Sequence, residues 1–340
     1  MPDFWIYSKY RDEILWVKQH HRLLYPTIPT PLRKLAKYYL EERIVVTIDR
    51  AILNKKTGRA YPYVAYWFSE ALGLRDRGII RKLGLSLTYV ALFVSIRDDL
   101  IDGRPILNDD SIASEHSLIA LANWYYDKYL QVFKEIFAQG SPFWFLFIDC
   151  MNQWSIYETW ILTHRTRHNF DPLSHSFLEK SSQYLYATTL PTLAAIAILT
   201  SNKLESIIKF AKNYCIGFKL ADDLRDWRKD ITKRNPIGSV VIYYAMKKFG
   251  KKKIDETELE SLFLDEEFIN SLYDAAIRHL MTAKVNGEVF RSSQIQKFIE
   301  IQIEGLEEQV EFHRQRRTDF TKLVNNIFSL NRRRLINSSD

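Results

Sequence analysis

An all-α fold is predicted by three observations. Gly (11) and Pro (10) are scarce in 340 residues. Apolar residues recur at helical spacing along most of the chain. No stretch alternates apolar and polar residues as a half-buried strand does. The 46% of hydrophobic residues is enough for a large core and excludes a disordered chain. Length alone allows one domain or two. With no repeat and no low-complexity linker, we read one helical domain over 1–330 and a basic, flexible tail over 331–340.

The elements follow from local signals. Thr30-Pro31 reads as an N-cap with proline at the first helical position, opening a helix to about Ala51. After a turn at Lys55–Gly58, a helix runs from Pro62 to about Leu72. The next covers about Arg75–Asp102 and stops at Gly103-Arg104-Pro105. Ser111 or Ser114 opens a helix to about Ala138, which Gly140-Ser141-Pro142 breaks. A further helix spans Phe143 to about His164, and Arg165–Pro172 is a polar loop. Helices are expected over 174–200 and 203–227, with a break at Asn235-Pro236 and helix again up to the basic Arg332–Arg334. The count is about ten.

The formal net charge of +7 suits an anionic partner: a phosphate ester, a nucleic acid or an acidic membrane surface. The positive residues are dispersed and no DNA-binding helix motif is evident, which argues against nucleic acid. The two thiols, Cys150 and Cys215, make no disulfide framework, so a reducing cytoplasm is expected. MPDFWIYSKYRDE has no basic stretch followed by an apolar run, so no signal peptide is expected. The most apolar stretches, Leu85–Ile96 and Leu190–Thr200, fall short of the roughly 20 residues that span a bilayer and read as core helices.

Two acidic clusters carry the chemistry. In Ser95-Ile-Arg-Asp-Asp-Leu-Ile-Asp-Gly103, Asp98 and Asp102 are four apart and share a helix face, with Asp99 beside them. Three carboxylates therefore gather at the C-terminal end of an apolar helix, facing the negative end of its dipole. Like charges about 4 Å apart repel by roughly 4 kcal/mol at an effective dielectric of about 20. Bound divalent cations resolve that conflict, and hard carboxylate oxygens suit Mg²⁺. The second cluster, in Phe218-Lys-Leu-Ala-Asp-Asp-Leu-Arg-Asp-Trp-Arg-Lys-Asp230, places Asp222, Asp226 and Asp230 on one stripe with Asp223 alongside. The bland alternative is a pair of solvated faces, with Arg97, Arg225, Arg228 and Lys229 as ion-pair partners. Two Asp-Asp-x-x-Asp clusters at the ends of two apolar helices make that alternative the weaker one.

The two motifs resemble those of the trans-isoprenyl diphosphate synthases and class I terpene synthases. The segment IGFKLADDLRD is similar to that superfamily's second motif, with Lys219 where Gln is usual. The resemblance covers about residues 40–320. It implies a helical bundle around a central cavity, in which two acidic helix ends hold three Mg²⁺ ions (Mn²⁺ is an alternative) and bind an isoprenyl diphosphate. The metal ligands it implies are Asp98, Asp99, Asp102, Asp222, Asp226 and Asp230, with Asp223 a weaker candidate. Asp98, Asp99, Asp102, Asp222 and Asp226 are the catalytic set.

Cationic candidates for the diphosphate are Arg59, Lys219, Lys233, Arg234 and the group Arg314, Arg316 and Arg317. Lys219 stands out, because it lies one helical turn before the acidic pair. A carbocation formed on ionisation needs an aromatic, water-free wall. Tyr89, Phe93, Trp154, Tyr157, Tyr184 and Phe218 are the candidates, with Trp160 further along.

Chain-elongating members also hold isopentenyl diphosphate through a Gly-Gly-Lys-Arg-x-Arg-Pro motif. Here Arg59 matches, but Gly58 and Tyr61 replace the Lys and second Arg. Ala91 falls where a His is usual. The Arg-Arg-Gly after the first motif is missing, and Lys180-Ser181 is the nearest match to a Lys-Thr pair. The expectation is therefore a terpene synthase needing one substrate, with a prenyltransferase as closest alternative and a non-enzymatic basic binding protein behind both. A homodimer is common in the superfamily; no transmembrane segment is expected.

Overall fold

The computed structural model describes residues 9–41, 61–103, 114–163, 170–202, 204–232 and 238–337. Among them are twelve α-helices and no strand. They are α1 (Arg11–Leu23), α2 (Arg33–Tyr38), α3 (Tyr61–Ala71), α4 (Arg77–Asp102), α5 (Glu115–Ile136) and α6 (Phe143–Thr163). The chain continues with α7 (His175–Leu199), α8 (Leu204–Asp230), α9 (Val240–Phe249), α10 (Glu256–Leu262), α11 (Glu266–Gly287) and α12 (Ser293–Asn337).

The all-α expectation holds, with local differences: α12 stays helical over 331–337, where a flexible tail is expected from the sequence, and two others follow. Thr30-Pro31 opens a 3₁₀ turn, Thr30–Leu32, before α2 begins at Arg33. The helix bearing the second acidic cluster runs on to Asp230, so the whole acidic stripe is helical.

α4 is the central element. Every residue from Leu83 to Val90 is buried, so the helix is covered on all sides in its middle. It packs on α5, α3, α1 and α7. Its start is fixed by Asp76, whose carboxylate accepts from the Ile79 N–H at 3.0 Å. Its end is fixed by Gly103, whose φ of +64° is the left-handed conformation that closes a helix most cheaply on glycine. α4 is also the one helix among the described residues long and apolar enough to cross a membrane, but its place is the middle of the bundle.

α8 is the second axis. It packs on α11, α7 and α9. A Cβ on Gly217 would lie 2.7 Å from Leu280 Cγ and 3.0 Å from the Leu280 backbone nitrogen, so glycine is what lets α8 and α11 approach. This accounts physically for the glycine that precedes the second acidic cluster. The ends of α4 and α8 thus reach the same end of the bundle, where the site lies.

Candidate active site

The two acidic clusters line one cavity of about 270 Å³. Asp98, Asp99 and Asp102 come from the end of α4, and Asp222, Asp223, Asp226 and Asp230 from the end of α8. Trp154, Tyr157 and Glu158 of α6 and Tyr184 of α7 form the wall between them, and Gly238 and Ser239 close the rim before α9. The acids face a shared hollow rather than unrelated sides of the molecule, while Asp222 and Asp226 also keep the short-range pairs with Arg225 and Lys229 that the solvated-face alternative expects.

The seven aspartates are not equivalent. Asp98 is exposed. Asp99 is buried, and the Tyr39 hydroxyl donates to its Oδ2 at 2.9 Å. Asp102 is buried at the helix terminus. On α8, Asp222 and Asp226 are partly exposed and have loose neighbours one turn away: Arg225 at 3.5 Å and Lys229 at 3.1 Å. Asp230 is buried. Asp223 is the most committed. It accepts from Lys219 Nζ at 2.6 Å and from the Val240 N–H at 2.8 Å, which ties α8 to the first turn of α9. Burial pushes its carboxyl up to about 6; the Lys219 ammonium works against that rise and the Asp230 carboxylate adds to it.

Eight acidic and three basic side chains line the cavity, inside a protein whose overall charge is positive. Each of the three cations has a carboxylate partner. Arg97 holds Glu158 of α6 in a two-pronged pair, Nε–Oε1 2.9 Å and Nη2–Oε2 2.6 Å. Lys219 holds Asp223 and Lys229 holds Asp226. The Lys219 ammonium also lies 5.8 Å from the centre of the Tyr184 ring. Among the described lining residues the acids outnumber the bases, and Arg225 adds a pair with Asp222. Hard carboxylate oxygens on two walls fit divalent cations such as Mg²⁺. No three of these side chains among the described residues converge on one point as a closed metal cage does. That is the arrangement expected where each ion takes one or two carboxylates and completes its shell with phosphate oxygens and water.

The structure sorts the aromatic candidates. Trp154, Tyr157 and Tyr184 line the cavity, and Tyr157 and Tyr184 lie 5.4 Å apart. Phe93 stands behind them, 5.4 Å from Trp154 and from Tyr126. Phe218 lines a separate narrow crevice of about 20 Å³ with Val64, Leu87, Leu185, Thr189, Tyr214 and Cys215. Tyr89 is a correction. Its ring packs 5.8 Å from His21 of α1 and 6.5 Å from Tyr125 of α5, away from the cavity. Trp160 packs in the core on Phe170 and Phe177.

The basic candidates divide as well. Lys219 reaches the cavity. Arg314, Arg316 and Arg317 do not line it: Arg314 lies 3.5 Å from Asn270, Arg317 pairs with Glu266, and Arg316 sits over Phe312. α12 passes outside the first turn of α11, which carries all three to the outer surface. Arg59, Lys233 and Arg234 lie outside the described residues, as does Gly58. Lys180 sits over the Phe170 ring at 5.6 Å and does not line the cavity. Three participants were missed by sequence reasoning as site residues: Tyr39, the Arg97–Glu158 pair, and the Val240 N–H. Only Arg97 had a local signal, being adjacent to Asp98.

No family model and no curated protein matches the chain. Solved structures do. A polyprenyl synthase from Caulobacter crescentus, complexed with calcium and isoprenyl diphosphate, superposes with a TM-score of 0.66 at 13% identity, over 88% of this chain and 96% of that one. The chain has the isoprenoid-synthase fold. A decaprenyl diphosphate synthase from Rhodobacter capsulatus shares that fold with a TM-score of 0.62 at 12% identity, over 88% and 97% of the two chains. A geranylgeranyl pyrophosphate synthetase from the archaeon Geoglobus acetivorans gives 0.59 at 18% identity, over 88% and 99%. The isoprenoid-synthase fold thus spans nearly the whole of each of these enzymes and most of the present chain. At such identities the likeness is one of fold.

Proposed function

We propose that this protein is a divalent-metal-dependent enzyme that ionises an allylic isoprenyl diphosphate. The observation that carries the reading is that the two sets of aspartates, from the ends of two different helices, line one cavity. An anionic diphosphate is repelled by such a hollow unless cations enter with it. Mg²⁺, held by Asp98, Asp99 and Asp102 on one side and Asp222, Asp226 and Asp230 on the other, would supply Lewis-acid stabilisation of the departing diphosphate. Asp223 is reassigned from weak ligand to support, because Lys219 and Val240 already engage both its oxygens. Lys219 sets the floor of the anion site, and Arg97–Glu158 holds α6 against α4 so that Trp154 and Tyr157 face the reacting carbon. Aromatic faces stabilise a desolvated cation by up to about 2 kcal/mol each and exclude the water that would quench it.

For the fate of that cation, chain elongation with isopentenyl diphosphate has the better support. The three named neighbours are all prenyl diphosphate synthases by name, and the fold match covers nearly their full length. This reverses the preference drawn from the sequence. A one-substrate terpene synthase stays the second reading on one observation. Among the described residues, each cation lining the cavity already has a carboxylate partner, and Ala91 stands where elongating enzymes have His.

The test is a purified-protein assay with geranyl, farnesyl and geranylgeranyl diphosphates, with and without isopentenyl diphosphate. The expected result is a longer prenyl diphosphate that forms only with both substrates and Mg²⁺ and is lost on chelation. Asp102→Ala or Asp226→Ala should each lower turnover by roughly a hundredfold or more while the helical signal persists. Hydrocarbon or alcohol released from a single substrate would select the second reading. Turnover indifferent to metal and to both substitutions would sink both.

A further inference from the structure

α12 extends far past the body of the bundle. Its partner α11 begins at Glu266, and the contacts of Arg314 with Asn270 and of Arg317 with Glu266 mark where the two helices part. The helix continues to Asn337, about 30 Å further at 1.5 Å per residue. From Glu311 to Leu323 every residue but His313 is exposed. Three large apolar side chains stand in the open there: Phe312 is 59% exposed, Phe320 51% and Leu323 56%. Exposed apolar groups in series on one helix face mark an interaction surface.

The sequence sharpens the pattern. At 100° per residue, positions 320, 323, 324, 327, 328 and 330 (Phe, Leu, Val, Ile, Phe, Leu) fall within one half of the helix circumference. Positions 318, 319, 321, 322, 325, 326 and 329 (Thr, Asp, Thr, Lys, Asn, Asn, Ser) fill the other half. Three arginines stand at each end of this stretch: Arg314, Arg316 and Arg317 before it, and Arg332, Arg333 and Arg334 after it.

We propose that α12 beyond Arg317 is an interfacial helix that seats the protein on an anionic lipid surface. The occupant follows from width and charge. The apolar stripe covers nearly half the circumference, broader than the narrow seam by which two helices pair in a coiled coil. A second copy is disfavoured by charge in either orientation. Parallel pairing sets each arginine group against itself, and antiparallel pairing sets the leading group against the trailing one. An acidic bilayer meets the positive ends of the stretch with opposite charge, Arg317 being already paired with Glu266, while the apolar half enters the boundary between headgroups and acyl chains. The polar half carries one lysine, Lys322, against one aspartate, Asp319, so it offers a phosphate backbone no net charge between the two arginine groups.

The experiment is co-sedimentation of the full chain with vesicles of phosphatidylcholine alone and of phosphatidylcholine mixed with phosphatidylglycerol. Retention is expected on the mixed vesicles, falling as salt is raised. Replacing Arg332, Arg333 and Arg334 together by Gln should weaken it by roughly a hundredfold, since each arginine near an anionic surface contributes about fivefold. Phe320→Asp with Leu323→Asp should weaken it by about tenfold or more with unchanged far-ultraviolet circular dichroism. Phe320 and Leu323 are exposed and do not line the cavity, so turnover in detergent-free solution should be unaffected by Phe320→Asp with Leu323→Asp. Equal retention on neutral vesicles, or retention that survives both variants, overturns the proposal. So does a doubled mass in light scattering that Phe320→Asp with Leu323→Asp abolishes while vesicles bind neither form, or retention on nucleic acid in preference to vesicles.

Discussion

Asp223→Ala is the sharpest probe of how the acidic end of α8 is held. The substitution removes the acceptor of two hydrogen bonds, from Lys219 Nζ at 2.6 Å and from the Val240 N–H at 2.8 Å. Lys219 is itself buried but for its edge on the cavity, so its ammonium loses its charged partner and regains only part of its hydration. Breaking a buried ion pair from one side costs about 3–5 kcal/mol. An unpaired buried N–H adds about 1–3 kcal/mol, part of which a water can recover once the side chain is gone. We expect a loss of about 4 kcal/mol for Asp223→Ala. Lys219→Met should cost less, about 1–2 kcal/mol, because burial already raises the Asp223 carboxyl to about 6 and it can take up a proton near neutral pH at about 1.4 kcal/mol per unit. The double variant Lys219→Met with Asp223→Ala removes both charges of the pair and should be milder than the two losses summed. Urea titrations of the four proteins at neutral pH, followed by far-ultraviolet circular dichroism, form a complete cycle. Additive losses, or an Asp223→Ala variant within about 1 kcal/mol of the parent, would refute the reasoning.

Further outcomes are expected elsewhere. His21 is fully buried between the rings of Tyr89 and Tyr125, and burial lowers its imidazole to about 4. The folded chain keeps it neutral where the unfolded chain binds a proton, so stability should fall as pH drops from about 6.5 to 4, by about 3 kcal/mol in total. His21→Phe should flatten that part of the pH–stability curve, and a curve unchanged by the substitution would refute the assignment. Gly217→Ala places a methyl against the Leu280 backbone and should destabilise by about 1–3 kcal/mol, read as a lowered urea midpoint. Phe218→Ala enlarges the crevice it shares with Leu87 and Leu185. Leu87 lies about 16 Å along α4 from Asp98, so this variant should shift the product distribution, read by chromatography of dephosphorylated products, towards longer chains.

Much of the site was legible because its chemistry is written locally. Asp98, Asp99 and Asp102 conflict with the dipole of the helix that bears them, and Asp222, Asp226 and Asp230 repeat at one helical period; both signals survive without tertiary knowledge. The contacts that make these acids unequal were not legible. Tyr39 reaches Asp99 across 60 residues of sequence and Glu158 reaches Arg97 across 61, and no periodicity encodes such pairs. Tyr89 was misplaced for a related reason. Its four-residue spacing from Phe93 is a true helical face, but α4 is buried all round, so sharing a face does not mean facing the cavity. Arg314, Arg316 and Arg317 were assigned to the anion by their charge alone, and the path of α12 along the outside of α11 was not written in that charge.

Trp227, Phe263 and His313 form a column of rings, with centroids 5.2 Å and 4.9 Å apart, that fastens α12 to the back of α8. Trp227 lies one turn before Asp230, at the rim of the cavity. The projecting arm is therefore linked to the cavity rim through this column, beside its packing on α11. If the arm seats on an anionic lipid surface as proposed, this column of rings would fix the bearing at which the body carries its cavity.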